Sequence, residues 1–301
     1  TTAMQIQLGA RAAYNTKFKA PLVPSFHVKY DLNEHMQFRA SYASGFRSPS
    51  VKELFFYFVD ASHFIVGNPD LKAETSHNFQ AIADLQLPQK PDLKLTLTAF
   101  YNDIANKIEL YDFVEIDGVP VPAASLGQSS TKFAYFNQDQ YKTLGINIRS
   151  SVKIKNLGID AGIAPIGRYN PLSETGSADT YTFATEWSGR IGYQVQQINL
   201  EGQFFIRYND KLIRYYQTTD IEGNLLTQQS VQNGFSMADL VFTKKMNSLG
   251  LTLSGGIKNL FDVKNINISG SGSGAHTGGD NGSPVATGIN YFGRLSWNLA
   301  K

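Results

Sequence analysis

A chain of 301 residues with a formal net charge of +2 and no cysteine has room for one large domain or two smaller ones and carries neither a disulfide framework nor thiol chemistry. The near-neutral charge gives no support to nucleic-acid binding. Aromatic residues and glycine are abundant (15 Tyr, 20 Phe, 26 Gly), yet no run approaches the ~18 apolar residues of a spanning helix, which excludes a bundle of transmembrane helices. A β-barrel conceals its apolar residues by alternation and escapes that test.

The start, Thr1-Thr2-Ala3-Met4, lacks the basic and apolar regions of a signal peptide, so the chain reads as a mature chain or a fragment. Residues 4–14 read as a first strand, followed by a short connection over 15–22. Phe26, Val28, Tyr30 and Leu32 then alternate with His27, Lys29 and Asp31, the period of two that gives a strand one apolar and one polar face. After a turn at Asn33-Glu34, Met36, Phe38, Ala40 and Tyr42 repeat the pattern. Beyond a long loop, Phe79, Ala81, Ala83, Leu85 and Leu87 form an apolar face. Leu93, Leu95, Leu97, Ala99 and Tyr101 form the next, across a turn at Pro88–Asp92. The alternation resumes at Leu144, Ile146, Ile148, Val152 and Ile154, and again at Leu157, Ile159, Ala161 and Ile163. Further faces are Trp187, Ile191, Tyr193 and Val195, then Leu200, Gly202, Phe204 and Ile206, then Ala238, Leu240 and Phe242. Leu249, Leu251, Leu253 and Ile257 precede a last strand with Leu295, Trp297 and Leu299.

Short turns fall near residues 33, 89, 155, 197 and 247. Long connections fall near 45–74, 110–131, 166–180, 209–230 and 268–288. Short turns at one end and long loops at the other are the arrangement of an outer-membrane barrel. The strands number about twelve, against about 22 in a plugged transporter barrel. The fold class expected is therefore all-β: a transmembrane, antiparallel, up-and-down barrel, with apolar faces toward lipid and polar faces toward a lumen. A soluble sandwich would alternate similarly, but its connections would not sort by length onto two ends.

The stretch 45–76 is the most informative. Phe46-Arg47-Ser48-Pro49 opens it and Asn68-Pro69-Asp70-Leu71 closes it, with Gly45 and Gly67 beside the two motifs. The prolines remove backbone donors, and the glycines are expected to supply torsional freedom. Between the motifs lies a run of Phe, Tyr, Val and Ile that contains His63. A loop of this length is functional or disordered, and its apolar content argues against disorder.

These two motifs resemble the paired signature of TonB-dependent outer-membrane receptors. In haem-uptake members it appears as Phe-Arg-Ala-Pro, a histidine, and Asn-Pro-Asn/Asp-Leu. Here Ser48 stands in place of the usual alanine, while Asn68, Pro69, Asp70 and Leu71 match and are followed by Lys72-Ala73-Glu74-Thr75-Ser76. The segment Ile257-Lys258-Asn259-Leu260-Phe261-Asp262-Val263 and the terminal strand resemble the C-terminal end of such receptors, although the chain ends Leu299-Ala300-Lys301 rather than on an aromatic residue. The resemblance implies that residues 1–301 are the C-terminal part of a receptor barrel, about the last twelve strands of 22. The plug domain and the first half of the barrel would lie outside the chain.

His63 is a candidate axial ligand of haem iron, since neutral imidazole suits that metal. The resemblance places a histidine in the same interval. Read from the residues alone, a solvated loop histidine is an equal alternative. Tyr57 is a second candidate through its phenolate, with packing in the aromatic cluster as the alternative. Phe46, Arg47, Pro49, Asn68, Pro69, Asp70 and Leu71 are expected to hold the loop. No nucleophile set, phosphate loop or metal-spaced histidine pair is present, so no enzyme activity and no resident cofactor are expected.

The resemblance implies active haem uptake across the bacterial outer membrane. Implied partners are membrane lipid, the plug and N-terminal barrel half, the TonB–ExbB–ExbD complex acting through the plug, and a surface lipoprotein that delivers cargo. The lumen charges Lys29, Arg39, Lys94, Arg149, Arg190 and Arg207 suit contact with a plug. Uptake of cobalamin or a ferric siderophore would leave His63 incidental. A passive porin would leave the paired motifs unexplained.

Overall fold

A computed structural model of the chain describes residues 3–60, 64–87, 92–116, 118–126, 130, 132–170, 180–219, 225–269 and 283–298. Twelve strands form the main path of one sheet: Ala3–Arg11, Val23–Asp31, Met36–Arg47, Glu74–Leu87, Asp92–Ile116, Lys132–Ile154, Leu157–Tyr169, Tyr181–Val195, Leu200–Asn209, Phe235–Met246, Leu251–Lys258 and Asn290–Trp297. Each pairs antiparallel with the next in this order. Among the described residues no helix is long and apolar enough to cross a membrane.

The register sorts side chains as the alternation predicts. One lateral row runs Met4, Tyr30, Phe38, Ala83, Leu97, Ile148, Ile163, Trp187, Tyr208 across nine consecutive strands. All the large members of this row are exposed. Leu253 and Leu295 are cross-strand partners and are 50% and 66% exposed, so they do not fill a closed core between two sheets. An apolar face left open on every strand is the lipid face of a barrel. The opposite face carries Lys29, Arg39, Asp84, Thr96, Arg149, Asp160 and Arg190, with ion pairs at Arg39–Asp84 (2.6 Å) and Arg190–Asp160 (2.5 Å).

An aromatic row marks one membrane boundary. Phe26, Tyr42, Phe79 and Tyr101 are successive register partners on the lipid face, and Phe183 lies farther along the same row. Such girdles sit at the headgroup level. The next row toward the long loops holds His77, Asp103, Lys142, Tyr169 and Tyr181. Tyr42 meets the His77 ring at 2.8 Å from its hydroxyl to Nδ1.

The short turns are tight. Lys155 takes a left-handed φ of 53°, and Asn199 (48°) and Gly250 (62°) end the one-turn 3-10 segments Gln196–Ile198 and Asn247–Leu249. The loop end is more ordered than the sequence suggests. The first strand stops at Arg11 rather than residue 14. The expected connection over 110–131 is strand in its first half, because Asp92–Ile116 and Lys132–Ile154 stay paired as far as Asp112 and Phe133 and residues 113–116 then fold back on Val119–Pro122. The connection at 209–230 contains a hairpin of Leu212–Thr219 and Leu225–Gln232. Cross-strand pairing continues above the membrane wherever two long strands leave it side by side. Leu249 belongs to the turn rather than the strand that follows. Residues 88–91 of the expected Pro88–Asp92 turn, residues 270–282 of the long connection near 268–288, and Leu299 lie outside the described residues.

Ala3–Arg11 pairs only with Val23–Asp31, and Asn290–Trp297 only with Leu251–Lys258, so among the described residues the sheet is open at both edges.

Candidate functional site

The third strand ends at Arg47 and the fourth begins at Glu74, directly opposite it in register. The loop between them is built rather than irregular. Pro49 is buried and ends the strand. Ser50 then caps a short helix, Val51–Phe55: its hydroxyl accepts from the Glu53 amide at 3.2 Å, and the Glu53 carboxylate accepts from the Ser50 amide at 2.7 Å. This reciprocal capping box satisfies two amides that a helix start leaves open. Its sequence signal, Ser50-x-x-Glu53, was available in the sequence, and the aromatic run after it masked the helix.

Arg47 joins strand, helix and loop return. Its Nε and Nη2 donate to the Glu74 carboxylate at 2.8 and 2.5 Å, and its Nη1 donates to both Glu53 oxygens at 2.9 and 3.0 Å. Glu74 also accepts from the Ile108 amide at 2.7 Å. A planar guanidinium can make two directed bonds to each of two carboxylates, which an ammonium with three donors cannot. Burial pushes the Glu53 carboxyl up, but the Ser50 amide, the Arg47 guanidinium and the Ser50 hydroxyl outweigh it and hold the group below its ordinary value. Burial likewise pushes Glu74 up, and the Arg47 and Ile108 donors bring it below its ordinary value.

The second motif closes onto this assembly. The Gly67 amide donates to the Phe56 carbonyl at 2.6 Å and the Asn68 amide to the Glu53 carbonyl at 2.9 Å. The Asn68 side chain donates to the Tyr135 carbonyl at 2.9 Å and accepts from the Asp70 amide at 2.9 Å. Neither Gly45 nor Gly67 has a positive φ. Gly67 is needed for close approach instead: a Cβ there would lie 2.5 Å from the Phe55 nitrogen, whereas one on Gly45 would meet only the rotatable Ser76 hydroxyl, at 2.2 Å. The expectation of torsional freedom is corrected accordingly. Beneath the motifs, Leu54, Leu71 and Ile108 form a buried apolar cluster, with Phe18 and Tyr135 against it. Burying each of the three contributes about 2 kcal/mol.

Residues missed by sequence reasoning complete the clasp. Asn137 accepts from the Lys72 amide at 2.7 Å and donates to the Lys72 and Asn106 carbonyls at 3.0 and 2.7 Å. Lys17, from the connection between the first two strands, donates to the Pro69 carbonyl at 2.8 Å and lies 5.7 Å from the Phe55 ring centre. Asn15 sets up this contact by accepting from the Lys17 and Phe18 amides, both at 2.9 Å. Nothing in a single sequence pairs residue 17 with residue 69, although Asn15 signals a local turn.

Between the motifs, a hairpin of Tyr57–Val59 and Phe64–Val66 leaves the loop body, and its second strand runs parallel to Lys132, Phe133 and Ala134. Phe55, Tyr57, Phe58 and Val59 are exposed. Tyr57, at 75%, does not pack in the aromatic cluster. His63 falls between the two hairpin strands in sequence and lies outside the described residues. Among the described residues, no group of three or more acidic, histidine or cysteine side chains could hold a metal ion.

A lipid-facing sheet with a polar lumen wall and a clasped, aromatic loop at its long-loop end defines an outer-membrane receptor barrel. Residues 1–260 match the family described as "TonB dependent receptor-like, beta-barrel", and the chain belongs to it. It is 31% identical over 133 residues to "Hemoglobin and hemoglobin-haptoglobin-binding protein B" of Haemophilus influenzae, covering 43% of this chain and 12% of that protein. It is 26% identical over 152 residues to "Heme/hemopexin utilization protein C" of the same species, covering 45% of this chain and 20% of that protein. Among solved structures, a variant of the ferric enterobactin receptor from Pseudomonas aeruginosa superposes with a TM-score of 0.65 at 18% identity, covering 97% of this chain and 43% of that one. The iron transporter FrpB from Neisseria meningitidis gives 0.60 at 17% identity, covering 92% and 39%. The chain thus spans less than half the length of these proteins, and the structural likeness speaks for the fold. As a member of this family it is an integral outer-membrane protein.

Proposed function

We propose that this chain is the C-terminal part of a TonB-dependent receptor that takes up haem, with the 48–73 loop as its outer capture element. The observation that carries the reading is the exposed aromatic arm, Phe55, Tyr57 and Phe58, held at the extracellular mouth by the Arg47 clasp. Apolar side chains on a fixed base suit a flat, largely apolar porphyrin. His63 supplies an imidazole for the iron within the same arm of sequence, and Tyr57 is a second, accessible oxygen ligand. The curated relatives named for haemoglobin and haem support this cargo. Haem here is transported ligand, not cofactor. The open edges leave room for further strands of the receptor. The remaining partners are the plug, the TonB–ExbB–ExbD complex acting through it, and a surface lipoprotein that hands cargo over.

Uptake of a ferric siderophore is the second reading, favoured by the likeness to the ferric enterobactin receptor. Haem titration of the complete receptor in detergent, wild type against His63→Ala, separates the two. Haem uptake predicts a substantial loss of affinity and a changed absorption spectrum. Identical spectra and affinities would leave siderophore or cobalamin uptake as the better reading.

A further inference from the structure

The base of the aromatic arm carries two cations with different commitments. Phe55 ends the short helix, and Phe56 turns the chain into extended conformation with φ −63° and ψ 136°. Each ring takes one ammonium: Lys17 Nζ lies 5.7 Å from the Phe55 ring centre, and Lys52 Nζ lies 4.8 Å from that of Phe56. Lys17 belongs to the clasp, since it donates to the Pro69 carbonyl at 2.8 Å. Lys52 is exposed, and among the described residues no carboxylate lies within ion-pair distance of its Nζ. The adjacent Glu53 carboxylate is taken by Arg47 at 2.9 and 3.0 Å and by the Ser50 amide at 2.7 Å.

Local geometry lines this cation up with two rings. The Phe56 amide donates to the Lys52 carbonyl at 2.9 Å, so the two side chains meet across one helical turn. Beyond Phe56 the chain is extended, and its period of two returns Phe58 to the same face. The Phe56 and Phe58 rings stack with centres 6.0 Å apart and planes 23° from parallel, and Phe58 is 41% exposed. The result is a stripe of one ammonium and two rings. It is complementary to a flat apolar ligand that carries its negative charge on one edge. The porphyrin of haem has this form, with two propionate carboxylates on one edge and apolar substituents around the rest. We infer, resting on the haem reading above, that Lys52 binds a propionate carboxylate while the macrocycle lies along Phe56 and Phe58. The charged edge then sits at the base of the arm and the apolar edge points toward its tip. An ammonium held on a ring face has given up part of its water, which strengthens its pairing with an anion.

The test titrates the complete receptor in detergent with metal-free protoporphyrin IX and with its dimethyl ester, followed by porphyrin fluorescence. Neither probe holds iron, so His63 and Tyr57 add no metal bond, and the two probes differ only in the charge of one edge. Wild type should bind the diacid about fivefold more tightly than the ester at low salt, the scale of a partly exposed ion pair. The ratio should shrink toward one at about 0.5 M salt. Lys52→Met keeps an apolar stem on Phe56 and should bring the ratio to one by weakening the diacid alone. Lys52→Arg should restore the ratio, and Lys52→Glu should reverse it. A wild-type ratio in Lys52→Met would overturn the assignment. So would equal weakening of both probes, which would make Lys52 a prop for the arm rather than a contact for the carboxylate. Saturable binding of neither probe by wild type would overturn the haem reading itself, and the role of Lys52 with it.

Discussion

The Asn68 amide donates to the Glu53 carbonyl at 2.9 Å, and this bond joins the short helix that follows the first loop motif to the second motif, fifteen residues on in sequence, making one body of the two. The motifs act together as a clasp. Arg47 holds Glu53 and Glu74, Glu53 holds Ser50 and Asn68, and Asn68 holds Tyr135 on the sixth strand. A loop fixed to three strands can leave its aromatic tip exposed without collapsing onto the barrel.

Arg47→Ala should release this loop while leaving the barrel folded. The substitution leaves two carboxylates facing each other without the shared cation. Because Arg47 is 45% exposed, the cost is about 2 kcal/mol, below that of a fully buried pair. Hydrogen exchange at the Ile108 amide should quicken about 30-fold. Arg47→Lys should lie between, since an ammonium cannot bind both carboxylates in plane. Unchanged exchange in the Ala variant would show that the apolar cluster alone holds the loop.

The clasp should also open in acid. Glu53 and Glu74 have folded pKa values below their ordinary 4.5, so the folded loop binds fewer protons than the released one. Their contribution is fully present above about pH 4.5 and is lost as pH falls through the depressed values. Loop protection measured by hydrogen exchange should be flat from pH 7.5 to about 5 and should fall below about 4. A fall centred near pH 6 would point to a histidine instead.

Gly67→Ala should act through sterics alone. The added carbon meets backbone atoms of Leu54 and Phe55 at 2.5 to 2.7 Å, which cannot rotate away as a side chain would. A cost of about 1–3 kcal/mol is expected, read as faster limited proteolysis within 55–66. Lys17→Met, which keeps the apolar stem and loses the donor to Pro69, should raise exchange at the Leu71 amide about fivefold, the effect of about 1 kcal/mol. Wild-type rates in both variants would remove these contacts from the clasp.

The barrel wall was legible in the sequence because its determinant is local. Each strand sorts its own side chains by alternation, and neighbours such as Leu253 and Leu295 then meet by register. The paired motifs were legible as punctuation around a loop. Their roles were less so, because Arg47 acts on Glu74 across 27 residues and Lys17 on Pro69 across 52. The strand pairing above the membrane was missed for a related reason. Lys107, Glu109 and Tyr111 are polar or amphipathic on a segment packed among the loops, where Ile108 and Phe113 are buried, and there the two-faced pattern fades although pairing with the sixth strand continues.

The lipid-facing row gives the most direct test of orientation. Leu97 is four residues from the girdle residue Tyr101 on the same face, about 10 Å deeper at a tilt near 40°, and it pairs with Ile148. That depth lies close to the middle of an apolar band about 25 Å tall. Leu97→Arg should therefore destabilise the complete receptor in vesicles by about 2–4 kcal/mol, whereas Tyr101→Arg at the boundary should cost about 0–1 kcal/mol. Thr98 adjoins Leu97 on the opposite face, where it pairs with Asn147. Thr98→Arg meets a hydrated lumen wall and should leave stability within about 1 kcal/mol of wild type. Reversible urea unfolding in thin-bilayer vesicles measures all three. Equal costs at residues 97 and 98 would mean that both faces see the same environment, which a lipid-embedded wall cannot produce.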